Sequence, residues 1–222
     1  MEYPAVCVAA SSGNLEEVMR LVQSRPNIVH DRNLYQETPL HVAAMEGHVD
    51  VCTYLIDQGA HINSEDDCGN TPLALACSYH KPKVVEVLVG RGADPSLADV
   101  FESTPLMACI TSHKDRHEVR LMMGLLLKHG ASIDAQDGYR RTALHIATSR
   151  GKLDLMRLLL EAGADPTVKN RDGCCPKLVA ITRGYPVCVK VLEVSGHRLQ
   201  HSGYYVTLET HPMLLKSAPH FF

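Results

Sequence analysis

The stretch Thr38-Pro39-Leu40-His41-Val42-Ala43-Ala44 decides the fold, because it returns three more times. It recurs as Thr71-Pro72-Leu73-Ala74-Leu75-Ala76-Cys77, as Thr104-Pro105-Leu106-Met107-Ala108 and as Thr142-Ala143-Leu144-His145-Ile146-Ala147, at intervals of 33, 33 and 38 residues. A second signature follows each copy: Gly59-Ala60, Gly92-Ala93-Asp94-Pro95, Gly130-Ala131 and Gly163-Ala164-Asp165-Pro166. Each unit reads as two short helices and a turn. Thr38 caps the first helix, its hydroxyl accepting from free N–H groups of the first turn. Pro39 takes the first helical position, where a missing N–H costs nothing. Gly47 ends that helix with a residue that tolerates positive φ. Val49, Val51, Cys52, Leu55 and Ile56 give the second helix an apolar face at helical spacing. The polar stretch from Asn63 to Asn70 crosses to the next unit.

A two-helix unit is too thin to bury its own apolar face, so stacking on neighbours must complete the core. The period of 33 and the Thr-Pro-Leu-His-x-Ala start resemble the ankyrin repeat. The resemblance covers about residues 4–197 and implies an all-α ankyrin-repeat solenoid of stacked helix-turn-helix units with short hairpin loops. Repeats fall at 38–70, 71–103, 104–141 and 142–174, with degenerate capping repeats at 1–37 and 175–203 and an unassigned tail at 204–222. The 104–141 repeat is five residues too long, with Thr111 to Glu118 between its helices. This reads as a longer turn or an extended second helix, since loops absorb insertions cheaply. In the last unit Cys175 replaces the capping Thr and Lys177 stands where the family buries a Leu, which predicts a cap with one face toward water.

Composition agrees. Of 222 residues, 45% are hydrophobic and 21% charged, ordinary globular usage. No apolar run approaches the ~18 residues of a membrane helix, and no basic region opens a secretory signal, so no membrane partner is expected. The eight cysteines contain no C-x-x-C pair, and several sit inside apolar helical patterns. That usage favours a reducing compartment, cytoplasmic or nuclear.

Chemistry is sought and not found. There is no phosphate-binding glycine loop, no G-x-S-x-G elbow and no H-E-x-x-H helix. His113 and His117 are spaced for one helical face, as are His197 and His201, but no third metal ligand is specified. In the family His41 and His145 are structural. No enzyme activity, cofactor or metal is expected.

The resemblance implies a monomeric module that binds proteins through hairpin tips and the exposed side of each first helix. By register these positions lie one, three and four residues before each repeat's Thr and seven and eight after it. They include Tyr35, Glu37, Met45, Glu46, Tyr79, Phe101, Tyr139, Arg141, Arg150 and Arg183. Aromatics recur three before Thr, at Tyr35, Phe101 and Tyr139, and exposed aromatics are disproportionately interface anchors. Charge segregates as well: residues 1–103 carry net −9 and residues 104–222 net +6. An acidic or phosphorylated partner segment would be drawn to the Arg-rich end, where guanidinium forks grip carboxylates or phosphate. Nucleic-acid binding through the basic C-terminal half is an alternative, although a net charge of −3 gives no global pull toward nucleic acid. A ubiquitin-ligase substrate adaptor is a further alternative, although the tail does not resemble a SOCS box. Asn63, eight residues after Leu55, resembles a target of asparaginyl hydroxylation, with His61 where that pattern prefers an acid.

Overall fold

The computed structural model describes residues 4–111 and 116–201, with side chains for all of these except 116 and 195–201. Twelve α-helices and one 3-10 helix make up the described chain, and no strand occurs among the described residues. The chain divides into two compact units, Met1–Ala131 and Ser132–Phe222.

The first unit holds α1 (Ala5–Ser11), α2 (Leu15–Ser24), a 3-10 turn (Pro26–His30), α3 (Pro39–Glu46), α4 (Val49–Asp57), α5 (Pro72–Ser78), α6 (Pro82–Gly90), α7 (Pro105–Thr111) and α8 (Arg116–Lys128). First helices pack on first helices, α1 on α3, α3 on α5 and α5 on α7, while α4 packs on α6 and α6 on α8. The second unit holds α9 (Ala143–Ser149), α10 (Leu153–Glu161), α11 (Pro176–Thr182) and α12 (Pro186–His201). There α9 packs on α11 and α10 on α12. Fully buried Leu40, Leu55, Leu73, Leu88, Met122 and Met123 fill the first unit, and Leu144 and Met156 the second. The five extra residues of the 104–141 repeat go partly into α8, whose 13 residues exceed the 9 of α4, α6 and α10.

The caps follow the sequence. Thr38 accepts from the His41 N–H and Thr142 from the His145 N–H, each closing a capping box, and Thr71 accepts from the Ala74 N–H. Gly47 closes α3 at φ 94°. Cys175 offers α11 no side-chain cap. In the last repeat Lys177 pairs with Glu193 at 2.9 Å, while Leu178, Ile181, Val187 and Val194 are exposed. The described part of this repeat thus exposes these apolar side chains together with Thr182, Arg183, Lys190 and Glu193.

Two buried imidazoles, those of His41 and His145, also tie one repeat to the next. His41 Nδ1 accepts from the Thr38 N–H at 3.1 Å and hydroxyl at 2.8 Å, and its Nε2–H donates to the Asn70 carbonyl at 3.0 Å. His145 repeats the arrangement with Thr142 and the Cys174 carbonyl.

The hairpins between repeats are held by one side-chain oxygen each. The Asn or Asp five residues before the repeat start accepts two backbone N–H groups from its own loop. Asn33 accepts from Tyr35 and Glu37, Asp66 from Cys68 and Asn70, and Asp99 from Phe101 and Ser103. In the second unit Asp137 accepts from Tyr139 and Arg141, and Asn170 from Asp172 and Cys174. Neighbouring hairpins are joined by single backbone bonds: Asp67 N–H to Tyr35 O at 3.1 Å, Val100 N–H to Cys68 O at 2.9 Å and Arg171 N–H to Tyr139 O at 3.0 Å. Arg32 adds donors to the Gln36 and Glu65 carbonyls, and Gln136 to those of Arg140 and Lys169.

Two predictions follow from these bonds. Asp137 is buried and also takes Nε of Arg141 at 2.8 Å. Asp137→Ala should therefore cost roughly 1.5–3 kcal/mol, and Asp137→Asn less, measured by urea denaturation. Burial pushes the His41 imidazole down to about 4, from an ordinary value near 6.5, and lowers His145 as well. Above pH ~6.5 neither the folded nor the unfolded chain is protonated there, and stability is complete. Below it the unfolded chain takes up protons that the folded chain refuses, so stability falls as the pH drops toward about 4. The loss attached to His41 is on the order of 3 kcal/mol at the acid end. Urea midpoints of wild type and His41→Gln across this range check it: the variant should show the shallower slope.

Candidate interaction surface

The hairpin loops lift their central side chains clear of the repeats. Tyr35 is 66% exposed, Phe101 66% and Tyr139 59%, beside exposed Leu34 and Val100. Tyr79, which caps the C-terminus of α5, is 50% exposed. Rings normally avoid water to this degree, and here the backbone beneath each tip ring is fixed by its Asn or Asp and by the bond to a neighbouring hairpin.

Of the residues read from the sequence, six lie in the first unit. Tyr35 and Phe101 stand on tips, Glu46 is exposed at the end of α3, and Met45 beside it is half-buried. Glu37 is half-buried and its carboxylate accepts from the Asn33 amide at 2.6 Å, so it serves its own hairpin. Tyr79 stands at the mouth of α5. The second unit places Tyr139 on a tip and Arg150 and Arg183 exposed at the C-termini of α9 and α11. Arg141 is exposed but engaged: its guanidinium pairs with Asp137 at 2.7 Å and lies 5.0 Å from the Tyr139 ring centre. It braces the tip. Arg140, its neighbour, is exposed and makes no ion pair with a described residue.

Three sets of residues escaped the sequence reading. The hairpin Asn and Asp residues carried a legible signal, since one occurs five before every repeat start. Arg32 and Gln136 carried a weaker one, sharing a register but not a residue type. The third set holds positive φ without being glycine: Gln36, Glu102 and Arg140, two before the repeat start, at φ 57°, 60° and 56°. No sequence rule marks them, because the left-handed region costs such residues roughly 1–2 kcal/mol.

Asn63 is exposed, and its side-chain oxygen accepts from the Asp94 N–H at 3.0 Å. Burial pushes the Cys7 and Cys52 thiols up to about 12, which leaves them poor nucleophiles at neutral pH. His117 is exposed on α8, His113 lies outside the described residues, and the side chains of His197 and His201 lie outside them too. No group of three or more metal-ligating side chains converges among the described residues. No described helix is long and apolar enough to cross a membrane.

Comparison with known proteins places the chain. The family model for ankyrin repeats matches three times, over residues 6–99, 83–170 and 106–200. The chain is 31% identical over 188 residues to the nuclear factor NF-kappa-B p105 subunit of Gallus gallus, covering 82% of this chain and 18% of that protein. It is 28% identical over 219 residues to the B-cell lymphoma 3 protein homolog of Mus musculus, covering 79% of this chain and 47% of that one. Against the poly [ADP-ribose] polymerase tankyrase of Caenorhabditis elegans the identity is 33% over 184 residues, 71% of this chain and 8% of that protein. The chain thus spans less than half the length of these relatives. With the Thr-Pro starts, the two-helix units and the bonded hairpins repeating in register, the chain belongs to the ankyrin-repeat family.

Proposed function

We propose that the chain is a scaffold or adaptor module, and that it holds a partner protein on its hairpin tips and on the exposed sides of its first helices. The observation that carries this reading is the set of exposed aromatics on hairpins already locked by side-chain and inter-hairpin bonds. Anchors fixed before binding lose little entropy when a partner arrives. Tyr35, Phe101 and Tyr79 supply them in the first unit, with Glu46 and Met45 beside them. Tyr139, Arg150 and Arg183 supply the second. The excess of cations over residues 104–222 favours an acidic or phosphorylated segment at that end. The family's repeats are interaction modules. Action as a monomer in the cytosol or nucleus belongs to the same reading.

Asn63 is proposed as a site of asparaginyl hydroxylation, supported by its exposure and by Leu55 eight residues before it. Its amide oxygen accepts the Asp94 N–H at 3.0 Å.

Two experiments test these readings. A partner captured by affinity and identified by mass spectrometry is measured for on- and off-rates at two salt concentrations. Phe101→Ala and Tyr139→Ala should speed dissociation, each by about 1 kcal/mol or more. Arg150→Glu should instead slow association and flatten its salt dependence. Wild-type rates in all three variants would rule this surface out. For Asn63, peptide mass spectrometry of protein from oxygenated cells should show a one-oxygen increment, and full coverage without it ends that proposal.

A further inference from the structure

Five hairpins share one backbone path, yet they differ at the residue in the left-handed region. Three carry a side chain there, Gln36, Glu102 and Arg140, and two carry glycine, Gly69 and Gly173 at φ 76° and 72°. The division follows the preceding residue. The side chains come directly after the exposed aromatics Tyr35, Phe101 and Tyr139, and the glycines come after Cys68 and Asp172. Glycine adopts this conformation without strain, so each of the three positions holds a side chain at a cost that glycine would remove. Strain kept at an exposed position points to use.

Local packing explains the glycine at one hairpin and not the side chains at the others. A Cβ on Gly69 would stand 3.0 Å from the Val100 backbone nitrogen, a tight contact that a side chain could meet only if the neighbouring hairpin gave by a few tenths of an ångström. Gln36, Glu102 and Arg140 are exposed, and their side chains make no hydrogen bond or ion pair with described residues. The hairpins use only their backbones: the Gln36 and Arg140 carbonyls accept from Arg32 and Gln136. Each aromatic tip therefore presents a ring followed by a free polar group, neutral at Gln36, anionic at Glu102 and cationic at Arg140.

Resting on the protein-binding reading above, we propose that these three side chains are specificity-determining contacts of the tip surface. Arg140 is the guanidinium that takes a carboxylate of an acidic partner segment. Arg141 cannot fill that role without abandoning Asp137, which holds it at 2.8 Å through Nε and 2.7 Å through the second nitrogen. Arg140 follows Tyr139 directly in the chain and is exposed like it, so the tip offers apolar surface and a two-pronged donor on consecutive residues. That pairing fits an Asp or Glu flanked by an apolar residue.

The test is to pan a random linear-peptide phage library on the whole chain and on Arg140→Gly, Arg140→Glu and Tyr139→Ala, with melting curves alongside. Wild type should enrich peptides bearing Asp or Glu beside an apolar residue. Those peptides should bind Arg140→Gly about tenfold or more weakly. The same variant should melt at or above the wild-type temperature, by up to about 4 °C, since glycine removes strain. Arg140→Glu should turn the enriched set toward Lys and Arg. Tyr139-dependent peptides that bind Arg140→Gly like wild type overturn the proposal and leave the protein-binding reading intact. A lower melting temperature in Arg140→Gly gives Arg140 a structural role and overturns it equally. Synthetic phosphoserine versions of the selected peptides separate the anion sources, and binding only when phosphorylated overturns the carboxylate assignment. Failure of wild type to enrich any Tyr139-dependent peptide removes both readings.

Discussion

A helix of seven or eight residues followed by one of about nine cannot cover both of its own faces, and everything else in this protein answers to that constraint. Each pair buries Leu, Val and Met only when another pair lies against it, so stability is a sum over neighbours. The side chains at the stacking faces are accordingly small or aliphatic, as at Ala43, Ala76, Leu73 and Leu144. The interior of every repeat is thereby committed to packing, and the hairpin tips and helix ends are left to face solvent.

The polar bonds make the stack specific. Apolar faces alone would tolerate sliding of one repeat along the next. His41 and His145 each bind the cap of their own helix and the carbonyl that precedes the next repeat, and only one register satisfies both nitrogens. The hairpin Asn and Asp residues do the same for the loops, turning a short excursion of chain into a fixed platform. Burial of the imidazoles makes this register sensitive to acid.

The surface then differs from the interior in kind. Internal positions repeat nearly the same residue in each unit, whereas the tips vary: Tyr35-Gln36, Cys68-Gly69, Phe101-Glu102, Tyr139-Arg140 and Asp172-Gly173. An identical backbone carrying different side chains is a scaffold on which contacts can be changed without disturbing the stack.

The sequence by itself determined the repeat, its helices and their caps, because Thr-Pro starts, glycine stops and apolar spacing are local properties with local physical causes. It also located Tyr35, Phe101 and Tyr139, since register alone puts them on loops. Only the tertiary structure decided which polar residues were free. Glu37 and Arg141 read as surface charges in sequence, but folding delivers Asn33 to the one and Asp137 to the other. Arg140, indistinguishable from Arg141 as a residue type, is left exposed by a backbone turn into the left-handed region. Pairing depends on where the chain places a side chain in space, and a one-dimensional pattern carries no information about which of two adjacent arginines faces its carboxylate.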